Sequence, residues 1–304
     1  MNLSYWEKNT WFESVDFAIV GSGIVGLNCA LSLKNRFPNS KIIVLERGIL
    51  PSGASSKNAG FACFGSISEI FEDLKNHTEE EVFQLVQKRV EGLKLLRNML
   101  GDQPIGFKQW GGHELFLANE SVLFEECLTA IPQINTLLKP LFKEEVFYKS
   151  NNDFNFQNII KNYISSSFEG QIDTGKMMQA LVKKAIESNI LIVNSAAVTS
   201  FLELKNRVAL EINNDFEFQA HKLFVATNGF ANQLLNEEIK PARAQVLITK
   251  PIDNLKIKGT FHLDKGFYYF RNINNRILFG GGRNLDFQVE ETTNFGLTEK
   301  IQNQ

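Results

Sequence analysis

The strongest constraint on this chain is a glycine-rich turn between two short apolar runs. The first run, Val15–Val20, leads directly into Gly21-Ser-Gly23-Ile-Val-Gly26, and a stretch of helix-forming composition follows. The second run, residues 41–45, ends at Glu46, twenty residues after the last glycine. Strand, glycine turn, helix, strand and terminal acid in this order are typical of a βαβ unit that binds a dinucleotide. The sequence therefore predicts an α/β fold that begins with a Rossmann-like unit.

Each position of this turn has a physical task. Gly21 allows the tight turn, Gly23 lets a pyrophosphate approach the backbone, and Gly26 lets the helix pack closely on the sheet. The first helical turn would offer N–H groups and a positive dipole end to the phosphates. Glu46 is expected to accept hydrogen bonds from a ribose. The alternative is a glycine-rich turn that binds no nucleotide.

Charge and composition exclude several other classes of function. The 32 basic and 34 acidic residues nearly cancel, so nothing favours nucleic acid or an anionic surface as a partner. Three cysteines and four histidines show no spacing typical of a disulfide framework or a metal site. The longest apolar stretch is interrupted by glycines and is too short to span a bilayer. With no recognisable secretion signal, the sequence predicts a cytoplasmic protein without integral membrane contact.

The segment after Glu46 favours FAD over NAD. Residues 47–60 form a long loop of small residues that includes Gly53-Ala-Ser-Ser and Asn58-Ala-Gly60. This loop resembles that of the FAD-dependent amino acid and amine oxidoreductases, the D-amino acid oxidase and glycine oxidase family. The resemblance implies that the loop runs along the pyrophosphate toward the isoalloxazine ring. The alternative is a flexible surface loop.

The resemblance extends over nearly the whole chain. Ser4, Tyr5 and Trp6 before the first strand are similar to the γ-glutamylputrescine oxidase-like branch. Residues 111–118 and 276–282 resemble strands of the family's substrate domain, and residues 222–229 resemble a strand that returns beside the phosphate loop. The candidate FAD-binding residues are Gly21, Ser22, Gly23, Ile24, Val25, Gly26, Glu46, Arg47, Gly53, Ala54, Ser55, Ser56, Asn58, Ala59, Gly60, Val198, Thr227, Asn228 and Gly229.

Two interleaved domains are expected. Helix and strand patterns alternate in one part of the chain, and short strands follow one another in residues 240–290. An FAD domain is predicted at 1–102 and 168–229, and a substrate domain with a mainly antiparallel sheet at 103–167 and 230–290. The overall class is α/β, or α+β when both domains are counted. A helix is predicted over 79–100, stopped by Gly101.

The resemblance also implies a chemistry. It implies oxidation of the C–N bond of an amino acid or amine by hydride transfer to flavin N5, which yields an imine. An arginine would hold a substrate carboxylate, and Tyr269 with Arg271 is the best candidate catalytic pair because the two share one face of a strand. The alternative is an interface tyrosine and an ordinary surface arginine.

The last residues, 291–304, are expected to begin a helix that is cut short, because family members continue for several dozen residues. Alternatives therefore stay open: a truncated, inactive flavoprotein-like chain, or an FAD-dependent 2-hydroxy acid or glycerol-phosphate dehydrogenase. Association with itself or with a completing chain also stays open.

Overall fold

The computed structural model describes residues 3–303 and has a mixed α/β architecture, which confirms the predicted fold class. Residues 1, 2 and 304, at the ends of the predicted domains, lie outside this range. The helices are α1 Tyr5–Glu7, α2 Ile24–Arg36, α3 Ala54–Lys57, α4 Ile67–Asn76, α5 Glu79–Leu100, α6 Ser121–Phe142, α7 Thr174–Glu187 and α8 Glu299–Gln302. The strands are β1 Val15–Val20, β2 Ile42–Leu45, β3 Phe61–Ala62, β4 Gly112–Glu114, β5 Tyr148–Asn151, β6 Asn162–Ser166, β7 Gly170–Gln171, β8 Leu191–Val193, β9 Val198–Glu203, β10 Val208–Ile212, β11 Phe216–Val225, β12 Gln245–Ile248, β13 Thr260–Leu263, β14 Tyr268–Ile273 and β15 Arg276–Gly281. Between residues 3 and 303, no helix is both long and apolar enough to cross a membrane.

The chain divides into two units, each made of separated segments. The first unit holds residues up to 58, 174–242 and 291–293, and the second holds 59–173, 243–290 and 294 onward. Both units are interleaved in sequence, but their limits differ from the predicted domains in three places. Residues 59–102 and 168–173 group with the second unit, and residues 230–242 group with the first.

The first unit is built on a sheet with the strand order β8-β2-β1-β11-β10-β9. Neighbours from β8 to β11 are parallel, whereas β11, β10 and β9 form an antiparallel meander. Strand β1 occupies the predicted residues, and β11 pairs with it in parallel, as the expected return of residues 222–229 requires. The strands β1 and β2 are almost wholly buried, as expected for parallel strands covered by helices.

The second unit contains a sheet with the order β12-β15-β14-β13-β4-β6-β5. In the described chain its pairs are antiparallel apart from β13 with β4. Helix α5 has the predicted limits, because a capping box of Thr78 with Glu81 begins it and Gly101 at φ +83° ends it. Its apolar stripe, Val82, Val86 and Val90, packs in one core with residues of α6. This packing is the physical reason that residues 59–102 group with the second unit.

A buried polar cluster joins the strands of the second unit to the segment before β7. Glu169 is 2% exposed, and its Oε2 lies 3.4 Å from Nε2 of His262 and 3.3 Å from Oγ1 of Thr260. Gly112 is required beneath this carboxylate, because a Cβ there would lie 1.9 Å from Oε2. Burial alone lowers the pKa of His262, but the hydrogen bond to Glu169 and the surrounding carboxylates together raise it above the ordinary value.

We expect this pair to make stability depend on pH. Because the folded-state pKa is raised, the contribution of His262 to the free energy of unfolding is complete below the unfolded-state pKa of about 6.5. This contribution is lost as pH rises through the folded-state pKa. The free energy of unfolding of the wild type should therefore fall as pH rises above about 6.5, and more steeply than that of His262→Gln. Denaturant titrations across this range measure the two slopes. His221→Gln, at an exposed position, is the matched control, and equal slopes for wild type and His262→Gln would contradict the expectation.

Candidate cofactor site

The first unit contains a cavity of about 440 Å³ at the carboxyl ends of β1, β2 and β11. This end of a parallel sheet is where α/β folds bind nucleotides. Many of the predicted cofactor residues lie together in its wall: Gly21, Ser22, Gly23, Glu46, Arg47, Gly53, Ala54, Ser55, Val198, Thr227 and Asn228.

The glycine turn has the geometry that its sequence predicts. Gly21 has φ +102°, a conformation that favours glycine, and a Cβ there would lie 2.6 Å from the carbonyl oxygen of Ala226. A Cβ on Gly26 would lie 1.9 Å from the carbonyl oxygen of Gly21. Helix α2 therefore begins directly against the end of β1. Ile24 and Val25 form its first turn, with Gly23 as the N-cap residue beside the cavity.

Glu46 joins the phosphate turn to the end of β2. Its Oε2 accepts hydrogen bonds from the amide N–H of Ser22 at 3.2 Å and from the Ser22 hydroxyl at 2.5 Å. Its Oε1 accepts one from the amide of Gly48 at 2.9 Å. A carboxylate offers about four acceptor positions, so Oε1 retains one for a ribose hydroxyl. A second ribose hydroxyl could take the place of the Ser22 hydroxyl as a donor to Oε2.

The loop after Glu46 is more structured than its composition predicts. Residues 54–57 form helix α3, and the hydroxyl of Ser55 accepts a hydrogen bond from the amide of Ile24 at 2.9 Å. Ser56 and Asn58 instead donate to carbonyls within the loop, to Pro51 at 3.0 Å and to Ser55 at 2.9 Å respectively. Gly53 has an extended conformation, φ −82°, that other residues also adopt. The left-handed conformation expected of a loop glycine is found at Gly60, with φ +73°.

One buried polar atom in the cavity wall lacks a protein partner. Thr227 Oγ1 has no hydrogen bond to any residue that the structure describes. Buried hydroxyls are normally paired, because an unpaired one costs free energy. This hydroxyl is thus available to a polar ligand atom in the cavity.

Several cavity residues were not predicted. One of them is Phe230, which lies in a 3₁₀ turn over Asn228–Gln233. The predicted residue Gly229, next to it in this turn, does not line the cavity. The guanidinium of Arg47 lies over the Phe230 ring, 3.8 Å from its centroid. No local pattern indicated Phe230, because its contact with Arg47 joins residues that are distant in sequence.

The remaining predicted site residues lie in the second unit. Ala59 and Gly60 precede β3, and Tyr269 and Arg271 lie on β14. Tyr269 is half-buried against Phe61, with ring centroids 5.5 Å apart, and burial raises its pKa. Arg271 is 3% exposed and donates hydrogen bonds to the carbonyl oxygens of Ala59 and Ile172.

The sequence matches the family described as FAD dependent oxidoreductase (DAO) over residues 16–303. The chain belongs to this family. FAD is its cofactor, and both points confirm the predictions made from the sequence. A curated relative, the probable oxidoreductase OrdL of Haemophilus influenzae, is 22% identical over 302 residues. The match covers 89% of this chain, and the chain spans 65% of the relative's length.

Solved structures share the fold. L-proline dehydrogenase from P. horikoshii superposes with a TM-score of 0.68 at 19% identity, covering 96% of this chain and 75% of that chain. Glycine oxidase from Geobacillus kaustophilus gives a TM-score of 0.69 at 16% identity, covering 95% and 75%.

The cavity fits the adenosine and pyrophosphate part of FAD. The glycine turn and the start of α2 suit phosphate oxygens, Glu46 suits a ribose, and the hydroxyl of Thr227 supplies a polar contact that no described residue uses. The aromatic ring of Phe230, under the cation of Arg47, suits an apolar and aromatic group.

We expect Glu46→Ala to weaken FAD binding by about 1.5–3 kcal/mol, the range for a hydrogen bond to a charged group. This corresponds to a Kd that is about 10 to 150 times higher. Fluorescence titration of the cofactor-free protein measures it, and Glu46→Gln separates the loss of charge from the loss of the side chain. Glu203→Ala, at an exposed position on β9, is the control. An unchanged Kd in Glu46→Ala would mean that the ribose binds elsewhere.

Thr227→Val should have opposite effects on the free and the loaded protein. Removing an unpaired buried hydroxyl should raise the free energy of unfolding without FAD by about 1 kcal/mol. Losing a hydrogen bond to the cofactor should raise the Kd for FAD about twofold to tenfold.

The contrast is Thr199→Val. Thr199 also lines the cavity, but its hydroxyl already has a partner, Glu211 Oε2, at 3.3 Å. That change should lower stability rather than raise it. Denaturation with and without FAD distinguishes the two variants, and a Thr227→Val protein that is less stable without cofactor would contradict the expectation.

Proposed function

We propose that this chain is an FAD-dependent oxidoreductase that oxidises the C–N bond of an amino acid or amine. The observation that carries the proposal is the family match over residues 16–303, which coincides with a cavity suited to the cofactor. The substrate class is supported by the structural neighbours, since two of them are named for proline and glycine.

FAD, when bound, supplies the two-electron acceptor for a hydride from the carbon next to nitrogen. The resulting imine then reacts with water to give a carbonyl compound and an amine or ammonia. With the redox chemistry supplied in this way, the tasks left to the protein are orientation and exclusion of water. A side chain that contacts the substrate needs a polar group that is not already committed elsewhere.

Tyr269 meets this requirement. Its hydroxyl has no hydrogen bond to any of the described residues, and its ring is held between Phe61 and the backbone at Gly280. A Cβ on Gly280 would lie 2.6 Å from the tyrosine ring, so this glycine makes room for it. We propose that the Tyr269 hydroxyl contacts the polar group of the substrate.

The proposed function is tested by loading the protein with FAD and mixing it anaerobically with candidate substrates. The panel holds primary and secondary amines, D- and L-amino acids, N-methylated amino acids, 2-hydroxy acids and glycerol phosphate. We expect loss of the visible flavin absorbance with at least one amine or amino acid and with neither of the last two classes. Bleaching by a hydroxy acid alone would replace the proposal with the dehydrogenase alternative.

Tyr269→Phe should raise KM for the reactive amine about 3- to 10-fold, as expected for one lost neutral hydrogen bond. The Kd for FAD and the thermal stability should stay near those of the wild type, because no described residue bonds to the hydroxyl. Tyr268→Phe is the matched control: Tyr268 is the neighbouring residue in the strand, and its ring stacks on Phe279 with centroids 6.1 Å apart. Equal kinetic effects of the two changes would exclude a direct role for the Tyr269 hydroxyl.

A further inference from the structure

Arg271 occupies an unusual place for a substrate-binding arginine. It lies on β14, and its side chain is buried on the face of the sheet that receives β3. Phe270, on the opposite face, stacks on Phe261 with centroids 4.5 Å apart and planes 3° from parallel. Phe270 therefore packs in an aromatic cluster on one face of the strand, and the other face carries a buried cation.

The guanidinium of Arg271 binds two backbone carbonyls that are distant in sequence. Its Nε donates to Ala59, and its Nη2 donates to Ile172 at 3.1 Å. The amide of Ile172 in turn donates to the carbonyl of Gly60 at 2.8 Å. Arg271 thus binds the residues just before β3 and just after β7, at one end of this antiparallel pair of strands.

Gly60 is part of the same arrangement. With φ +73°, it has a conformation that a larger residue adopts at a cost. A Cβ there would lie 2.7 Å from Arg271 Nη2 and 2.4 Å from the carbonyl oxygen of Ile172. The glycine that ends the predicted FAD loop is therefore required by the position of the guanidinium.

The chemistry of this contact suits arginine and no other side chain. A planar fork of donors spans two carbonyls at once, whereas a lysine ammonium is a single point of charge. Burial lowers the pKa of Arg271 to about 10, although the charge of Asp173 opposes the shift, so the group stays protonated at neutral pH. A buried cation is costly unless its donors are paired, and the two carbonyls provide that pairing.

We propose that Arg271 is a positioning residue that holds residues 59 and 60, and with them the end of the loop 47–60, in the conformation that binds FAD. On this view Arg271 does not bind the substrate carboxylate. The positioning role rests on FAD being the cofactor, and the absence of carboxylate binding also rests on the proposed function.

The test compares Arg271→Met and Arg271→Lys with Arg276→Met. Arg276 is a matched control, because it lies on the adjacent strand β15 and also donates to a backbone carbonyl, that of Thr249, at 2.7 Å. The readouts are the Kd for FAD, the visible spectrum of bound flavin, and the rate of tryptic cleavage after Lys57 in the cofactor-free protein.

We expect Arg271→Met to raise the Kd for FAD at least about tenfold, the effect of losing hydrogen bonds made by a charged donor. It should also shift the flavin spectrum and speed cleavage after Lys57. Arg271→Lys should show the same effects to a smaller degree, and Arg276→Met should stay within about twofold of the wild type. If Arg271→Met does not fold, the Arg271→Lys protein decides the test by the same readouts. The proposal is overturned if the Kd for FAD, the flavin spectrum and the cleavage rate all equal the wild-type values in Arg271→Met or, where that variant does not fold, in Arg271→Lys.

A second arm distinguishes positioning from carboxylate binding. KM and kcat are measured for a reactive amino acid and for the amine that lacks its carboxylate. A positioning role predicts that Arg271→Lys changes both substrates by the same factor. A rise in KM at least about tenfold greater for the amino acid, with normal FAD binding, would show that Arg271 binds the carboxylate. If neither substrate reduces the flavin of the wild type, the proposed function fails, while the FAD-binding arm still decides the positioning role.

Discussion

The close approach of helix α2 to strand β1 determines the geometry of the cofactor cavity. The two elements meet where Gly26 faces the carbonyl of Gly21, and any side chain at Gly26 would overlap that oxygen. Because the helix starts so near the strand end, the amide of Ser22 lies close enough to donate a hydrogen bond to the carboxylate of Glu46, which follows β2. The N-terminal end of the helix dipole and the carboxylate that is predicted to bind a ribose are thereby held at a fixed separation. A change of this one contact would displace both groups together.

The sheet of the second unit uses its two faces differently. One face packs aromatic rings, of which Phe261 and Phe270 are the most closely stacked. The other face carries buried polar groups, including His262 and Arg271, whose partners are Glu169 and two backbone carbonyls. Apolar packing tolerates small shifts, but buried polar groups need particular partners at particular distances. The polar face therefore specifies where the segments at 59–62 and 169–172 lie.

The parts predicted from sequence are those determined by local pattern. The unit from β1 to β2 and the helix α5 have nearly the expected limits, because glycines, caps and apolar periodicity mark them in the chain itself. Helix α6 was not predicted, since Pro132 and Pro140 lie inside it and interrupt the usual signal. The partners of Arg271 are 212 and 99 residues away, a separation over which no local pattern extends. For the same reason residues 59–102 were predicted in the first domain. The residues of α5 alone do not indicate that their apolar stripe packs against α6.

The loop after Glu46 lines the cavity and is held at three points by the protein itself. Its beginning is fixed by the bond from Gly48 to Glu46, its middle by the bond from Ile24 to Ser55, and its end by Arg271. Between these points the loop satisfies its own polar groups. Ordering a free loop of this length on binding would reduce affinity, because each immobilised residue loses conformational entropy. Because the three contacts are made by the protein alone, we expect most of that entropy to be lost during folding instead. The free energy of cofactor contacts can therefore go into affinity and ring orientation rather than into loop ordering. Breaking one of the three points should then weaken FAD binding even where the broken contact never touches the cofactor.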